Sequence, residues 1–293
     1  MKSRELAEKI FRIAVESVQP EKVLPEYLKV SGGVISAGEV KIKPDDIENI
    51  YVIGAGKASG AMALAAERIL GPLIVSGHVV VKYGHSAPLS RIEITEAGHP
   101  VPDQNGFSAT RKIVSIAEKA GAGDLVISLI SGGGSALLAD CPEGITPGEM
   151  AAMNSLLVRC GADINEINIV RKHVSGVKGG RLAAIAWPAR LVNLMLSDVP
   201  GDSPSVIASG PAYPDPSTYS QALEIVRRYG IAGKLPPAVM NHLEAGVKGF
   251  IPETPKPGDR IFDRVYNIII GSNRIALEAA AERCRKEGLK ITG

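Results

Sequence analysis

The segment SLISGGGSALL, Ser128 to Leu138, runs an apolar strand pattern into three glycines and a serine before a helical pattern begins. Stripping side chains where a strand hands over to a helix has two readings. One is a tight turn. The other is an anion-binding concavity, in which the N–H groups of Ser131, Gly132, Gly133, Gly134 and Ser135 converge and the following helix start adds positive charge. A serine-hydrolase elbow is excluded by spacing, because Ser135 has Gly133 two residues before it but Leu137 two after it.

Three further stretches carry related chemistry. GAGKASG follows the strand pattern IYVI and places Lys57 beside a helix start, an arrangement that holds anions. Its glycines, Gly54, Gly56 and Gly60, are one residue too wide for GxGxxG. The next strand ends in Lys82 and Tyr83 rather than in the acid that would hold a ribose, which disfavours a nicotinamide site.

In NIVRKHVSGVKGGRLAA, helical spacing makes Ile167, Val170, Val174 and Val177 one stripe. Asn168, Arg171, Ser175 and Lys178 make a second stripe beside it, with Arg181 after two glycines, so polar groups reach the rim of a core. The plainer reading is a helix C-terminus that favours cations, with His173 a packing residue. In LMLSDVPGDSPSVIASGP a strand delivers Asp198, and a Pro-Gly turn separates it from Asp202. Such carboxylates can hold Mg2+ through water or take a proton from a hydroxyl, or simply cap turns.

The elements needed to position these residues are legible as alternating patterns. Strand runs near 50–54, 78–83, 91–95, 124–130, 191–197 and 265–271 are separated by helical runs near 58–70, 105–120, 164–178, 218–229, 237–247 and 273–287. Thr146, Pro147 and Glu149 announce another helix through a capping box. Near-continuous apolar strands between helices predict a three-layer α/β/α Rossmann-like fold with a mostly parallel sheet. In such sheets ligands gather beyond the carboxyl ends of the strands, where all four stretches fall.

The chain has 293 residues, 45% of them hydrophobic, and a formal net charge of +2, too small to imply a nucleic-acid or anionic-membrane partner. Cys141, Cys160 and Cys284 stand far apart, which argues for a reducing, cytoplasmic setting and against a disulfide frame. The start, MKSRELAEKIFRIAVESV, reads as an amphipathic surface helix with Leu6, Ile10, Ile13 and Val18 on its inner face. A homo-oligomer is compatible with this composition.

Together, in this order, GAGKAS, SGGGSALL, NIVRKHVSGVKGGRLA, SDVPGD and IASGP resemble the class II glycerate 2-kinase family, also called MOFRL, with HPVPD (His99 to Asp103) and GSN (Gly271 to Asn273) as weaker matches. The resemblance implies ATP- and Mg2+-dependent phosphorylation of D-glycerate at its 2-hydroxyl, with nucleotide and hydroxy acid as the ligands. It implies that Lys57 is an active-site lysine. It also implies a smaller carboxyl-terminal domain carrying a further arginine. The expectation is therefore a shortened chain or a fragment. Residues 1–250 would be the amino-terminal domain, and 251–293 a linker (the proline-rich FIPETPKPGD) with the start of a second domain. Two other readings stay open: a hydroxypyruvate reductase using NAD(P), and a non-catalytic sugar-phosphate-binding module.

Overall fold

The computed structural model describes residues 3–43 and 46–291. It opens with two helices, α1 (Ser3–Glu16) and α2 (Pro20–Tyr27). Next comes a small antiparallel sheet of β1 (Leu28–Ser31), β2 (Val34–Ala37) and β3 (Val40–Ile42). Sequence patterns left this sheet unassigned, although Gly32 and Gly33 mark its hairpin: both have positive φ, as a two-residue turn that follows strand twist requires. Leu28, Ile35, Ala37 and Ile42 line its buried face.

The main body alternates strand and helix. β4 (Ile50–Ala55), α3 (Ser59–Leu70), β5 (Ile74–Lys82), β6 (Ile92–Ala97), α4 (Gln104–Lys119) and β7 (Leu125–Ser131) form its first half. A helical excursion follows: α5 (Gly134–Leu137), α6 (Pro147–Arg159), α7 (Ile164–His173) and α8 (Arg181–Ala186). β8 (Arg190–Leu196), α9 (Tyr219–Arg228), α10 (Pro237–Val247), β9 (Val265–Gly271) and α11 (Asn273–Lys286) complete the order.

The six long strands pair in parallel in the order β6-β5-β4-β7-β8-β9. The strand order reverses between β4 and β7, the switch point where doubly wound sheets bind ligands. The pleat divides the core. Val52, Ile127, Leu129 and Leu194 face α2, α3 and the small sheet, while Ile53, Val126, Ile130 and Met195 face α4 and α8. A third cluster, built around Met153, Val170, Tyr219, Val226 and Leu243, binds α6, α7, α9 and α10 into a helical layer of their own.

Several expectations need correcting. α7 stops at His173 and not at Lys178, because Asp140 captures the next backbone: Ser175 donates to it at 2.6 Å and the Gly176 N–H also donates to it. Ser175 and Lys178 therefore sit on a loop and share no helix face with Asn168. The segment 251–293 is not a linker leading away. Thr254 is buried and donates to Asp215 at 3.0 Å, β9 extends the same sheet, and α11 packs on α1. The GSN string suggests Asn273 as the N-cap of α11, but the cap is Ser272. GLKITG forms no strand through Ile291, its last two residues lying outside the described ones. α1 has no fully buried residue: Leu6, Ile10, Ile13 and Ala14 are half-buried, and Val18 lies beyond its end.

Candidate active site

The two glycine turns at the switch point interlock. Lys57 N–H donates to the Gly132 carbonyl at 2.9 Å, Ala58 N–H to Ser131 Oγ at 3.0 Å, and Ser59 Oγ to the Leu129 carbonyl at 2.9 Å. A Cβ on Gly56 would strike Ser131, and one on Gly132 would strike the Asp198 carboxylate. One on Gly134 would stand 2.7 Å from Ala208 Cβ, and one on Gly54 2.5 Å from the Leu129 carbonyl. These glycines are bare chiefly because protein lies against them. Gly133, at φ +84°, and Ser135 are the members of the turn that line open space. α5 spans a single turn of four residues, so it adds little dipole.

That open space is a cleft of about 270 Å3. Its sheet-side wall is His99, Gly133 and Ser135; its helix-side wall includes Met150, Asn154 and Arg171. Lys57 stands at the rim: its Cε would be 3.4 Å from a Cβ on Gly133. Its ammonium lies 3.6 Å from Asp198 Oδ2, and the two side chains remain 40% and 53% exposed. Such a pair is loose enough to accept a ligand without first being broken. Burial, then repulsion from Lys57 and Lys82, holds the His99 imidazole below its ordinary 6.5 against a smaller pull from Asp198. The ring is thus neutral at neutral pH.

On the far wall, Arg171 Nε donates to Asn154 Oδ1 at 2.7 Å and has no carboxylate partner among the described residues. Lys178 reaches the same cleft but is engaged, with the Leu138 carbonyl at 2.8 Å and Asp140 Oδ1 at 3.3 Å. Asn168 is buried behind the wall. It accepts from Ser209 Oγ at 3.0 Å, and Ser209 Oγ lies 2.9 Å from Ser135 Oγ. Ala208 and Ser209 hold this chain in left-handed backbone, φ +50° and +61°, a strained conformation that surrounding contacts must enforce.

Two expected site residues lie elsewhere. Arg181 donates to Tyr219 OH at 3.1 Å and to the Pro252 carbonyl at 3.0 Å, pinning the chain over α9, because the loop after α7 turns it away from the cleft. Asp202, left-handed at φ +52°, lines a different groove with Arg274 and Leu277 of α11. Among the described residues no three His, Cys, Asp or Glu side chains are grouped to hold a metal. Mg2+ commonly takes one or two carboxylates, with waters and phosphate oxygens filling the rest, and Asp198 alone fits that role. Sequence reasoning missed His99, Asp140, Asn154 and Ser209 as site residues. HPVPD and IASGP held two of them, whereas Asn154 gives no signal beyond a poor helix former inside a helix.

This fold has known counterparts. The family described as "Domain of unknown function (DUF4147)" matches residues 6–244. The chain belongs to this family, the glycerate kinases of the MOFRL type. A protein named putative hydroxypyruvate reductase from Agrobacterium vitis is 47% identical over 81% of this chain and 52% of its own length. A glycerate 2-kinase from Pyrococcus horikoshii is 39% identical over 99% of this chain and 64% of its own. The crystal structure of a glycerate kinase from Thermotoga maritima superposes with a TM-score of 0.81 at 37% identity, over 97% of this chain and 62% of that one. The chain thus spans between about half and two-thirds of these relatives. All four sequence stretches fall within the matched residues 6–244, and no helix among the described residues is long and apolar enough to cross a membrane.

Proposed function

We propose that the protein transfers the γ-phosphoryl group of ATP to the 2-hydroxyl of D-glycerate, giving 2-phosphoglycerate. The observation that carries this reading is the Lys57–Asp198 pair, 3.6 Å apart and half-exposed at the switch point, beside a cleft whose opposite wall presents the unpaired Arg171. Phosphoryl transfer asks for positive charge around the phosphates and for placement of the hydroxyl, with little covalent help from the protein. Lys57 faces the transferring oxygens. The 2-hydroxyl oxygen bonds to the γ-phosphorus, the bond to the ADP oxygen breaks, and the hydroxyl proton passes to Asp198. Asp198 would hold Mg2+ as a carboxylate ligand or through water, and the ion would supply charge neutralisation on the phosphates.

The relatives' names, glycerate 2-kinase and putative hydroxypyruvate reductase, divide between a kinase and a reductase. The geometry favours the kinase. In a dinucleotide fold the glycines of the first strand-to-helix turn leave room for pyrophosphate. Here a Cβ on Gly56 meets Ser131, and one on Gly60 lies 2.7 Å from the His85 carbonyl, so that room is filled. A cytoplasmic setting belongs to the same proposal, supported by three free cysteines.

Incubation with ATP, Mg2+ and D-glycerate, followed by phosphorus NMR, tests it. The 2-phosphate is expected. A product phosphorylated elsewhere, or no product while hydroxypyruvate consumes NADH, overturns it.

A further inference from the structure

Arg171 poses an energetic problem that the fold leaves unsolved. Its guanidinium is half-buried in the cleft wall, and burial alone lowers its proton affinity, with no nearby carboxylate acting in the other direction. Every other cation reaching this cleft has an anionic partner: Lys57 has Asp198, and Lys178 has Asp140. A cation withdrawn from water without a counter-charge costs stability unless an anion arrives to share the space.

Asn154 decides where that anion must sit. Its side-chain N–H donates to the Met150 carbonyl one turn earlier at 2.9 Å, which fixes the direction of the amide. Its Oδ1 then takes Arg171 Nε at 2.7 Å. With Nε engaged, the guanidinium cannot rotate freely, and its two terminal nitrogens remain for a ligand. That edge matches two oxygens of a carboxylate or phosphate. α6 is a firm mount for this device. Thr146 and Glu149 close a capping box at its start, and Met150, Met153 and Leu157 are buried along it. Asparagine is a poor choice for a helix interior on propensity alone, by about 0.5 kcal/mol against alanine, so a local reason for it is expected.

We propose that Asn154 is a positioning residue that aims Arg171 at an oxyanion bound in the cleft, either the carboxylate of the hydroxy acid or a nucleotide phosphate. This rests on the cleft being the substrate site, as proposed above, but not on the chemistry that follows binding.

Calorimetric titration of the 293-residue chain with D-glycerate, with ATP and Mg2+, and with inorganic phosphate tests it. Asn154→Leu and Arg171→Lys should each weaken at least one probe about tenfold, the value of a charge-assisted hydrogen bond. The double variant should bind no worse than Arg171→Lys alone, since both changes disable one device. Asn154→Asp keeps size and the bond to Nε but supplies a carboxylate that occupies the guanidinium, so it should weaken binding further. It also decides the matter if Asn154→Leu fails to fold. Loss confined to D-glycerate assigns the carboxylate, and loss confined to ATP or phosphate assigns the phosphate. Wild-type affinity in Asn154→Asp, additive losses in the double variant, or a wild-type chain that binds none of the probes overturns the proposal. Arg171-dependent binding without turnover would leave it standing while removing phosphoryl transfer.

Discussion

Lys57 and Lys178 each have a carboxylate partner and a place beside one cleft, yet they are built for different ends. Lys57 meets Asp198 at 3.6 Å in a pair that is about half open to water. Lys178 is 7% exposed, Asp140 is 12% exposed, and each has further bonds: Lys178 to the Leu138 carbonyl, Asp140 to Ser175 and Gly176. A cation available to a ligand keeps unused hydrogen-bonding capacity and loses little when its partner is exchanged. One that anchors a loop has spent that capacity. The comparison separates a lysine open to a ligand from an architectural one, although both stand next to glycines in the sequence.

The largest expected effect tests the first half of this contrast. Lys57→Ala should lower kcat/KM for D-glycerate by about a hundredfold or more, as removal of a charge facing a phosphoryl transition state does. Its melting temperature should stay within about 2 °C of wild type, because an exposed ion pair contributes about 1 kcal/mol at most. A variant that melts much earlier, or turns over normally, breaks the comparison.

Lys178→Met tests the other half. It leaves Asp140 buried without its cation, and breaking a buried pair from one side costs about 3 kcal/mol. The melting temperature should fall by several degrees. Affinity for ligands should change less than in Arg171→Lys, since the Lys178 ammonium at the cleft is already held by the Leu138 carbonyl and Asp140. Calorimetric melting and titration of the two variants side by side give the answer.

This division explains how much could be read without coordinates. The parallel sheet was legible because its strands are buried on both faces and read as apolar runs, as in LVISLIS. The capping box of α6 was legible because its chemistry is local. Lys57, Gly133 and Ser135 stand together beside one cleft because strand ends converge at a switch point. What failed was non-local. Nothing near residue 173 announces that Asp140, some thirty residues earlier, ends α7 by capturing Ser175 and Gly176. Arg181 was misplaced for the same reason, as its partners Tyr219 and Pro252 come from distant segments. The pattern SGGGS fits a turn and an anion-binding concavity equally well, and only the coordinates show Asp198 pressing on Gly132 and Ala208 on Gly134. Asn154 had no pattern to join.

The smallest effect sharpens the contrast most finely, because it reads the field around Lys57 with the protein's own imidazole. Burial pushes the His99 ring below its ordinary 6.5, Lys57 and Lys82 push the same way, and Asp198 opposes them. Removing the ammonium in Lys57→Ala should raise the midpoint at which His99 titrates, and Asp198→Asn should lower it, as followed by proton NMR of the ring. Lys178→Met should move it less, since Lys57 is the leading charge acting on His99 and Lys178 is held against Asp140. The sign carries over to stability. A histidine depressed in the folded protein makes the unfolded chain the better proton acceptor, so His99 favours folding above 6.5 and that contribution is lost as pH falls below it. In Lys57→Ala the loss should be shallower. If the midpoint instead follows Lys178 and ignores Lys57, the lysine that looks architectural is the one whose charge governs the cleft.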